Sequence, residues 1–466
     1  MKVVLVDIDI DRWQPELFVK GSVLEPYAIE CLGAFLKKEN IDVVLLEFDR
    51  GSAEEIAQTI LLYTPDIVGF SVLSKSYNIS RKVAQEIKKQ APHTLIVFGG
   101  YHPSGMPGIV ENEEIDIVVI GEGERPLLHI VRAFEQKKTY EKINGIAYWQ
   151  NGLKINPPGT RIENLDELPW PIRVKKWLEK SKVALPIYPP EAGKGNVAQI
   201  TYSRGCIYSC AFCCSPRLWQ KRVFWRSAKE VIKEAIYLKN NYGINLLYFT
   251  DLSFNTDLKK VYELCEEFIK QKVGIYWTVD CRFLSNISSD FFEKMAKAGC
   301  TRIAWGLESV SETTLSRIKK HQTISLAKQI LEMSNQVGIL NRVFIIIGFP
   351  WETKEYLNSL PEILKELPID SLRISFLTPF PGTPLWQKFK NYIIIEDFDR
   401  FTTDEPVFSL KHITKEELIE IRQMIFKKFY KTSEYEKHWR TKVSKFPHLK
   451  RSFDEYFEFL HKHGIL

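Results

Sequence analysis

The stretch Ser203-Arg204-Gly205-Cys206-Ile207-Tyr208-Ser209-Cys210-Ala211-Phe212-Cys213 decides how this chain is read. Its spacing, C-x3-C-x2-C, gathers three thiols on one short loop. Three thiolates so spaced match three corners of a cubic iron–sulfur cluster, whose fourth iron then lacks a cysteine. Complete thiolate ligation suits electron transfer, whereas an open metal position suits chemistry on a bound molecule. The same cysteines also fit a zinc site or buried packing. Structural zinc normally adds a distant second pair, and the sequence offers no convincing one. The loop follows Asn196-Val197-Ala198-Gln199-Ile200-Thr201-Tyr202, an apolar-rich run with strand character. The cysteines therefore stand at a strand's C-terminal end, where α/β barrels keep their active sites.

Downstream of the loop, strand patterns at Leu246–Thr250, Ile275–Val279, Arg302–Trp305, Arg342–Ile347 and Ser371–Phe376 follow the first at Ala198–Tyr202. Helical patterns lie between them at Ala228–Asn240, Leu258–Gln271, Ser289–Ala298 and Ser325–Val337. Six strand–helix units predict a partial barrel over 198–395, since a closed eight-stranded one needs more chain. Upstream, strand candidates at Lys2–Val6, Asp42–Leu46, Ile67–Ser71, Leu95–Phe98 and Ile117–Ile120 alternate with helical patterns at Pro26–Lys38, Ala53–Leu62 and Ile79–Gln90. That alternation predicts an α/β fold, a doubly wound Rossmann-like parallel sheet over 1–140, with ligands bound beyond the strands' carboxyl ends. Between the units, residues 141–197 read as a hairpin turning at Asn151-Gly152 and a proline-stiffened linker. Residues 396–466 read as a helical tail opened by the capping box Thr414-Lys415-Glu416-Glu417 and covering the barrel mouth or shaping a substrate pocket.

Several polar residues fall at strand ends beyond the cysteines. Asp251 follows the second barrel strand, Arg282 the third, Glu308 the fourth and Gly348 the fifth. A carboxylate there can accept charge-assisted hydrogen bonds, and an arginine can fork onto a carboxylate. Taken singly, such residues are more often caps or surface ion pairs. In the first sheet, strand exits carry Ser71-Val72-Leu73-Ser74, Gly99-Gly100-Tyr101-His102-Pro103-Ser104 and Gly121-Glu122-Gly123-Glu124. Glycine at a strand exit lets backbone approach a ligand, which the loops alone leave open between a flavin, a nucleotide and another cofactor.

Composition bounds the rest. At 466 residues the chain exceeds one usual core, and two or three domains are expected. Its 64 basic and 58 acidic residues give a net charge of +6, a small scattered excess that argues against a dedicated nucleic-acid binder. Eight cysteines make no disulfide scaffold, because Cys31, Cys214, Cys265, Cys281 and Cys300 are dispersed; this usage predicts a reducing, cytoplasmic setting. Cys214 reads as packing, and Cys281 stands as a candidate active-site thiol. Met1–Asp7 reads as a first strand and not as a signal peptide, and no apolar run approaches the ~20 residues of a membrane span.

The triad, with Phe212 before its last cysteine, resembles the signature of the radical S-adenosylmethionine (SAM) enzymes. That resemblance implies a 4Fe–4S cluster on Cys206, Cys210 and Cys213, and an open iron that binds SAM's amino and carboxylate groups. SAM cleavage would then give a 5′-deoxyadenosyl radical. Phe212, Asp251, Arg282, Glu308 and Gly348 fall at the family's SAM-contacting positions, including Gly306-Leu307-Glu308-Ser309 on the fourth strand. The glycine loops of the first sheet, the linker Leu165–Pro171 and the loop Thr378–Leu385 resemble the subfamily with a cobalamin-binding domain. This implies cobalamin contacts from Ser71, Leu73, Gly99, Gly100, His102, Pro103, Gly121, Glu122 and Gly123. The chain lacks Asp-x-His-x-x-Gly, as the subfamily generally does, leaving the lower cobalt face to Ser71, Leu73 or water. His102 would line the cofactor's nucleotide tail or face.

The activity so implied is methylation of an unactivated carbon, with methylcobalamin as donor to a substrate radical. The alternatives are cyclisation, ring contraction or oxidation with the same cofactors, or, from another class, a cobalamin- or redox-sensing binding protein. A methylthiotransferase is disfavoured because only Cys31 precedes Cys206. The expected partners are a small-molecule or peptide substrate and an external one-electron reductant of the flavodoxin or ferredoxin type. The protein is expected to be a monomer without nucleic acid.

Overall fold

The computed structural model describes residues 1–10, 12, 22–190 and 196–466, so residues 191–195 of the expected linker lie outside the described residues. The N-terminal alternation becomes a sheet of β1 (Lys2–Ile8), β2 (Asp42–Phe48), β3 (Ile67–Ser71), β4 (Leu95–Gly99), β5 (Ile117–Val119), β6 (Ile146–Trp149) and β7 (Leu153–Ile155). Its strand order is β2-β1-β3-β4-β5-β6-β7. The first five strands are parallel, and the hairpin β6–β7 adds antiparallel to β5. The hairpin expected as connector is thus the edge of the first sheet. Strand periodicity sorts the core residues onto its two faces. Val4 and Val6 of β1 join one buried cluster with Val68 and Ile96, while Val3 and Leu5 join the other with Ile67 and Val97.

The second unit begins with β8 (Val197–Ile200), followed by a small antiparallel pair, β9 (Ser203–Gly205) and β10 (Val223–Trp225). The chain then forms β11 (Leu246–Phe249), β12 (Tyr276–Cys281), β13 (Cys300–Glu308), β14 (Leu340–Ile347) and β15 (Ser371–Phe376). These give a six-stranded parallel sheet in the order β15-β14-β13-β12-β11-β8, whose two end strands do not pair. The expected open barrel follows.

The C-terminal helices depart from expectation. The capping box is present, with the Thr414 hydroxyl accepting from Glu417 N–H and the Glu417 carboxylate accepting from Thr414 N–H. Helix Lys415–Tyr430 runs down the β15 side, and its Tyr430 hydroxyl accepts from Leu372 N–H at 2.8 Å. The next two helices, Ser433–Lys445 and Lys450–Lys462, do not cover the mouth. Asp370 explains their position: it sits just before β15, is fully buried, and pairs with Lys442 and with His438 at 2.8 Å. Lys442 also donates to Ile339 O at 2.8 Å, just before β14. Both anchors lie at the strands' N-terminal ends, so these helices close the barrel floor. The mouth is covered instead by the stretch 398–403, which opens with the 3-10 turn Phe398–Arg400 and packs Phe398 and Phe401 on one another.

The two units meet across buried charge. Arg173 donates to Glu25 at 3.1 Å, Glu234 at 2.9 Å and Gln199 O at 2.6 Å, joining the first unit, helix Ala228–Tyr242 and β8. At the mouth, His102 stacks on Tyr77 at 4.3 Å and meets the edge of Phe398 at 4.8 Å. Burial pushes the His102 imidazole down to about 3, so it stays neutral in the folded protein. The unfolded chain binds this proton below its ordinary 6.5, and stability from this group is therefore lost as pH falls. In denaturant titrations, His102→Phe should gain on wild type by roughly 1.4 kcal/mol per pH unit between pH 6.5 and about 4.

Candidate functional site

The C-terminal ends of both sheets open on one cavity of about 470 Å3. Ser71, Leu73, Gly99, Gly100, Gly121, Glu122 and Gly123 line it from the first unit; Thr201, Ser203, Arg204, Gly205 and Thr250 line it from the second. Gly100 has φ +107°, and a Cβ there would stand 2.7 Å from Val72 O, so the loop needs glycine to fold back over β3. Two expected cobalamin contacts change place. His102 and Pro103 are buried beneath this loop and are not among the lining residues. His102 Nδ1 pairs with Ser74 Oγ at 3.0 Å, which together with the aromatic packing turns the ring from the cavity. Glu122 lines the cavity, but its carboxylate is held by Arg161 Nε at 3.1 Å and Ile162 N–H at 2.9 Å.

The same glutamate loop reaches the cysteines. Arg204, two residues before Cys206, pairs with Glu124 at 2.5 Å and Glu122 at 3.4 Å. Cys210 is buried, and Cys206 and Cys213 are partly exposed. Ala211 N–H donates to Ile318 O at 3.0 Å, and Ala211 O accepts from Leu385 N–H at 3.1 Å, fixing the loop from two sides. Ser215 N–H donates to Cys213 Sγ at 3.5 Å, with the Ser215 hydroxyl 3.1 Å from that sulfur. Burial pushes the Cys206 and Cys213 thiols up. Among the described residues no three His, Cys, Asp or Glu side chains gather around one metal ion. A cubane instead takes each thiolate on a separate iron, which suits ligands spaced along a loop. Donor type, spacing and partial exposure thus fit the cluster better than a structural zinc.

The strand-end residues are brought together, with roles that differ in detail from expectation. Asp251 is buried and spent on the loop: it accepts from Tyr202 N–H at 3.0 Å, and from Ser203 N–H at 2.5 Å and its hydroxyl at 2.6 Å. Burial still raises its carboxyl to about 6. It therefore anchors the entry to the cysteine loop, with both carboxylate oxygens engaged by Tyr202 and Ser203. Arg282 does not fork onto a carboxylate. It donates to Cys210 Sγ at 3.1 Å and to Lys320 O, with its guanidinium 3.8 Å from the Tyr208 ring centre. Glu308 ends β13 in the left-handed region, φ +68°, and pairs with Lys320 at 2.9 Å. A non-glycine residue there is strained, as is common at functional sites. Gly348 also has positive φ, +90°, but the place of its missing Cβ is taken by Leu418. Cys281 is a core residue, buried with its thiol pushed well up.

Sequence reading missed several members. Glu352 Oε2 accepts from Gly348 N–H at 2.8 Å and Phe349 N–H at 3.0 Å, and burial raises its carboxyl to about 8. Inside the barrel, a second cavity of about 350 Å3 runs from Phe212, Glu308 and Phe380 at the mouth down to Tyr248, Asp280, Arg302 and Arg342. The signal for the charged interior was present, because alternate positions of one strand share a face.

Two-unit architecture and site together define an enzyme with one cofactor crevice on a doubly wound sheet and a cysteine loop at a barrel mouth. The B12 binding domain family matches residues 18–131, and the radical SAM superfamily matches residues 200–364. An uncharacterized methyltransferase of Pyrococcus horikoshii is 30% identical over 426 residues, covering 88% of this chain and 89% of that protein. An anaerobic magnesium-protoporphyrin IX monomethyl ester cyclase of Rubrivivax gelatinosus is 26% identical, covering 81% of this chain and 68% of that protein. Among solved structures, the cobalamin-dependent SAM radical enzyme OxsB superposes with a TM-score of 0.73 at 18% identity, covering 99% of this chain and 75% of that one. The chain belongs to the cobalamin-binding radical SAM enzymes. Its cofactors are a 4Fe–4S cluster, SAM and cobalamin.

Asp251→Ala should leave three donors at the entry to the cysteine loop unpaired, at a cost of about 2–4 kcal/mol. Iron and sulfide per chain after anaerobic reconstitution should fall with it. Wild-type iron content in a destabilised variant would show that the anchor does not serve the loop.

Proposed function

We propose that this enzyme methylates an unactivated carbon of a small-molecule or peptide substrate. The observation that carries the reading is the placement of the cysteine loop between two cavities. Ser203–Gly205, leading into it, line the crevice of the first sheet, and Phe212, near its end, lines the barrel interior. A substrate in the barrel would thus sit below one cofactor and beside the other. When bound, the cluster and SAM supply a 5′-deoxyadenosyl radical and cobalamin supplies the methyl group. In this reading Cys206, Cys210 and Cys213 hold the cluster, and Arg282, donating to Cys210 Sγ, fixes the direction of that side chain.

Phe212 and Glu308 face SAM in this assignment, the glutamate taking its hydroxyl groups. Ser71, Leu73, Gly99, Gly100 and Gly121 form the cobalamin cradle. Phe380 and the aromatic stretch at Phe398 and Phe401 keep water from the mouth. An external one-electron reductant of the flavodoxin or ferredoxin type completes the system, which acts as a monomer in the reducing cytoplasm. Among the described residues no helix is long and apolar enough to cross a membrane. The Pyrococcus relative, named a methyltransferase, supports methyl transfer; the cyclase from Rubrivivax supports a second reading, ring formation without it.

Reduced, reconstituted enzyme should release 5′-deoxyadenosine from SAM, and the triple variant Cys206→Ala, Cys210→Ala, Cys213→Ala should release none. SAM labelled in its methyl group should pass the label to product, with a mass gain of one methylene unit. Unlabelled product of altered oxidation level would favour the cyclase-like reading, and release by the triple variant would overturn both.

A further inference from the structure

Among the described residues the barrel floor holds more positive charge than its neighbours neutralise. Arg302 of β13 and Arg342 of β14 point into the interior cavity, 2% and 6% exposed. Asp280 of β12 is the acid at their level, since the register sets Asp280 beside Ala304 and Ala304 beside Arg342. Arg302 gives one nitrogen to Ala184 O and Pro186 O, and its buried Nε has no partner. Among the described residues Arg342 has no hydrogen bond or ion pair, and its one ring contact is Phe344 at 5.9 Å. The other charges of the cavity are matched: Arg373 pairs with Asp404 at 2.8 Å, and Glu308 pairs with Lys320. Among the described residues two guanidiniums therefore face one carboxylate, an excess of one positive charge even with Asp280 ionised.

A buried cation without a partner is costly, and it persists where something of opposite charge visits. Guanidinium presents parallel N–H donors that fit a carboxylate or a phosphate. The floor beneath is sealed by the tail, where Tyr430 and Tyr456 hydroxyls bond at 2.7 Å. Among the described residues the open approach for an anion is from the mouth, past Phe212. We propose that the substrate carries an oxyanion, a carboxylate or phosphate, which docks between Arg302 and Arg342 and hangs its reacting carbon toward the cysteine loop. This inference rests on the proposed radical reaction, because it concerns that reaction's substrate.

Crystals of holoenzyme holding cluster, cobalamin and SAM, soaked in selenate, test it by anomalous scattering. A selenium peak is expected between Arg302 and Arg342 with SAM in place. Displacement by inorganic phosphate but not by acetate at equal concentration would assign a phosphate-bearing substrate, and displacement by acetate a carboxylate-bearing one. In solution, calorimetric titration with inorganic phosphate should show at least tenfold weaker binding to Arg342→Gln and Arg302→Gln, with Arg222→Gln at the surface unchanged. Absence of the peak, its loss on adding SAM alone, or its persistence in Arg342→Gln would overturn the inference. Should Arg342→Gln fail to fold, the wild-type crystal and the charge-keeping Arg342→Lys still decide it. Wild type that releases no 5′-deoxyadenosine would count against the radical reaction. Wild type that releases it yet holds no oxyanion at the floor would count against this inference alone.

Discussion

The buried ion pairs joining Glu122 and Glu124 to Arg161 and Arg204 are the contact on which the site depends. Arg161 and Glu122 are 1% and 7% exposed. Arg161 also donates to Trp219 O at 2.7 Å and Arg204 O at 3.2 Å, on either side of the cysteine loop. One loop of the first sheet thereby fixes both flanks of the segment that carries Cys206, Cys210 and Cys213. Removing one partner of such a pair leaves an uncompensated buried charge, which costs about 3–5 kcal/mol. The two cavities keep their relative position because these charges cannot separate cheaply. Arg173 repeats the arrangement lower down, against Glu25, Glu30 and Glu234.

With the crevice so placed, each strand end of the barrel has a defined task. Asp251 holds the chain entering the loop, Arg282 reaches Cys210, and the segment after β13 supplies Ile318 O and Lys320 O as props. Glu308 and Lys320 set an ion pair at the rim of the interior cavity. The tail helices take the opposite end, where Asp370 collects His438 and Lys442. The barrel is thus a pocket open at the cysteine end and shut at the other.

Much of this was legible in the sequence. Apolar runs such as Leu95–Phe98 and Ser371–Phe376 became strands nearly as expected, because period and burial agree there. The cysteine loop and glycine exits were legible because their spacing and backbone demands are local. Partners set by tertiary contact were not. Nothing local shows that Asp251 will fold back onto Ser203, that Gly348 will meet Leu418, or that His102 will turn toward Ser74. The tail's place at the floor depends on Asp370, an isolated acid whose partners lie 68 and 72 residues further on. The charged interior lay in view as alternate residues of β13 and β14, but only the sheet's curvature encloses them.

The central claim is that one cysteine loop serves both the sheet crevice and the barrel. Pulsed electron paramagnetic resonance on enzyme holding cob(II)alamin and the reduced cluster reads the separation of the two centres directly. A single, short and narrowly distributed distance is predicted, and it should broaden when Arg204→Ala loosens the join. Absent dipolar coupling, or a broad distribution in wild type, would contradict the account.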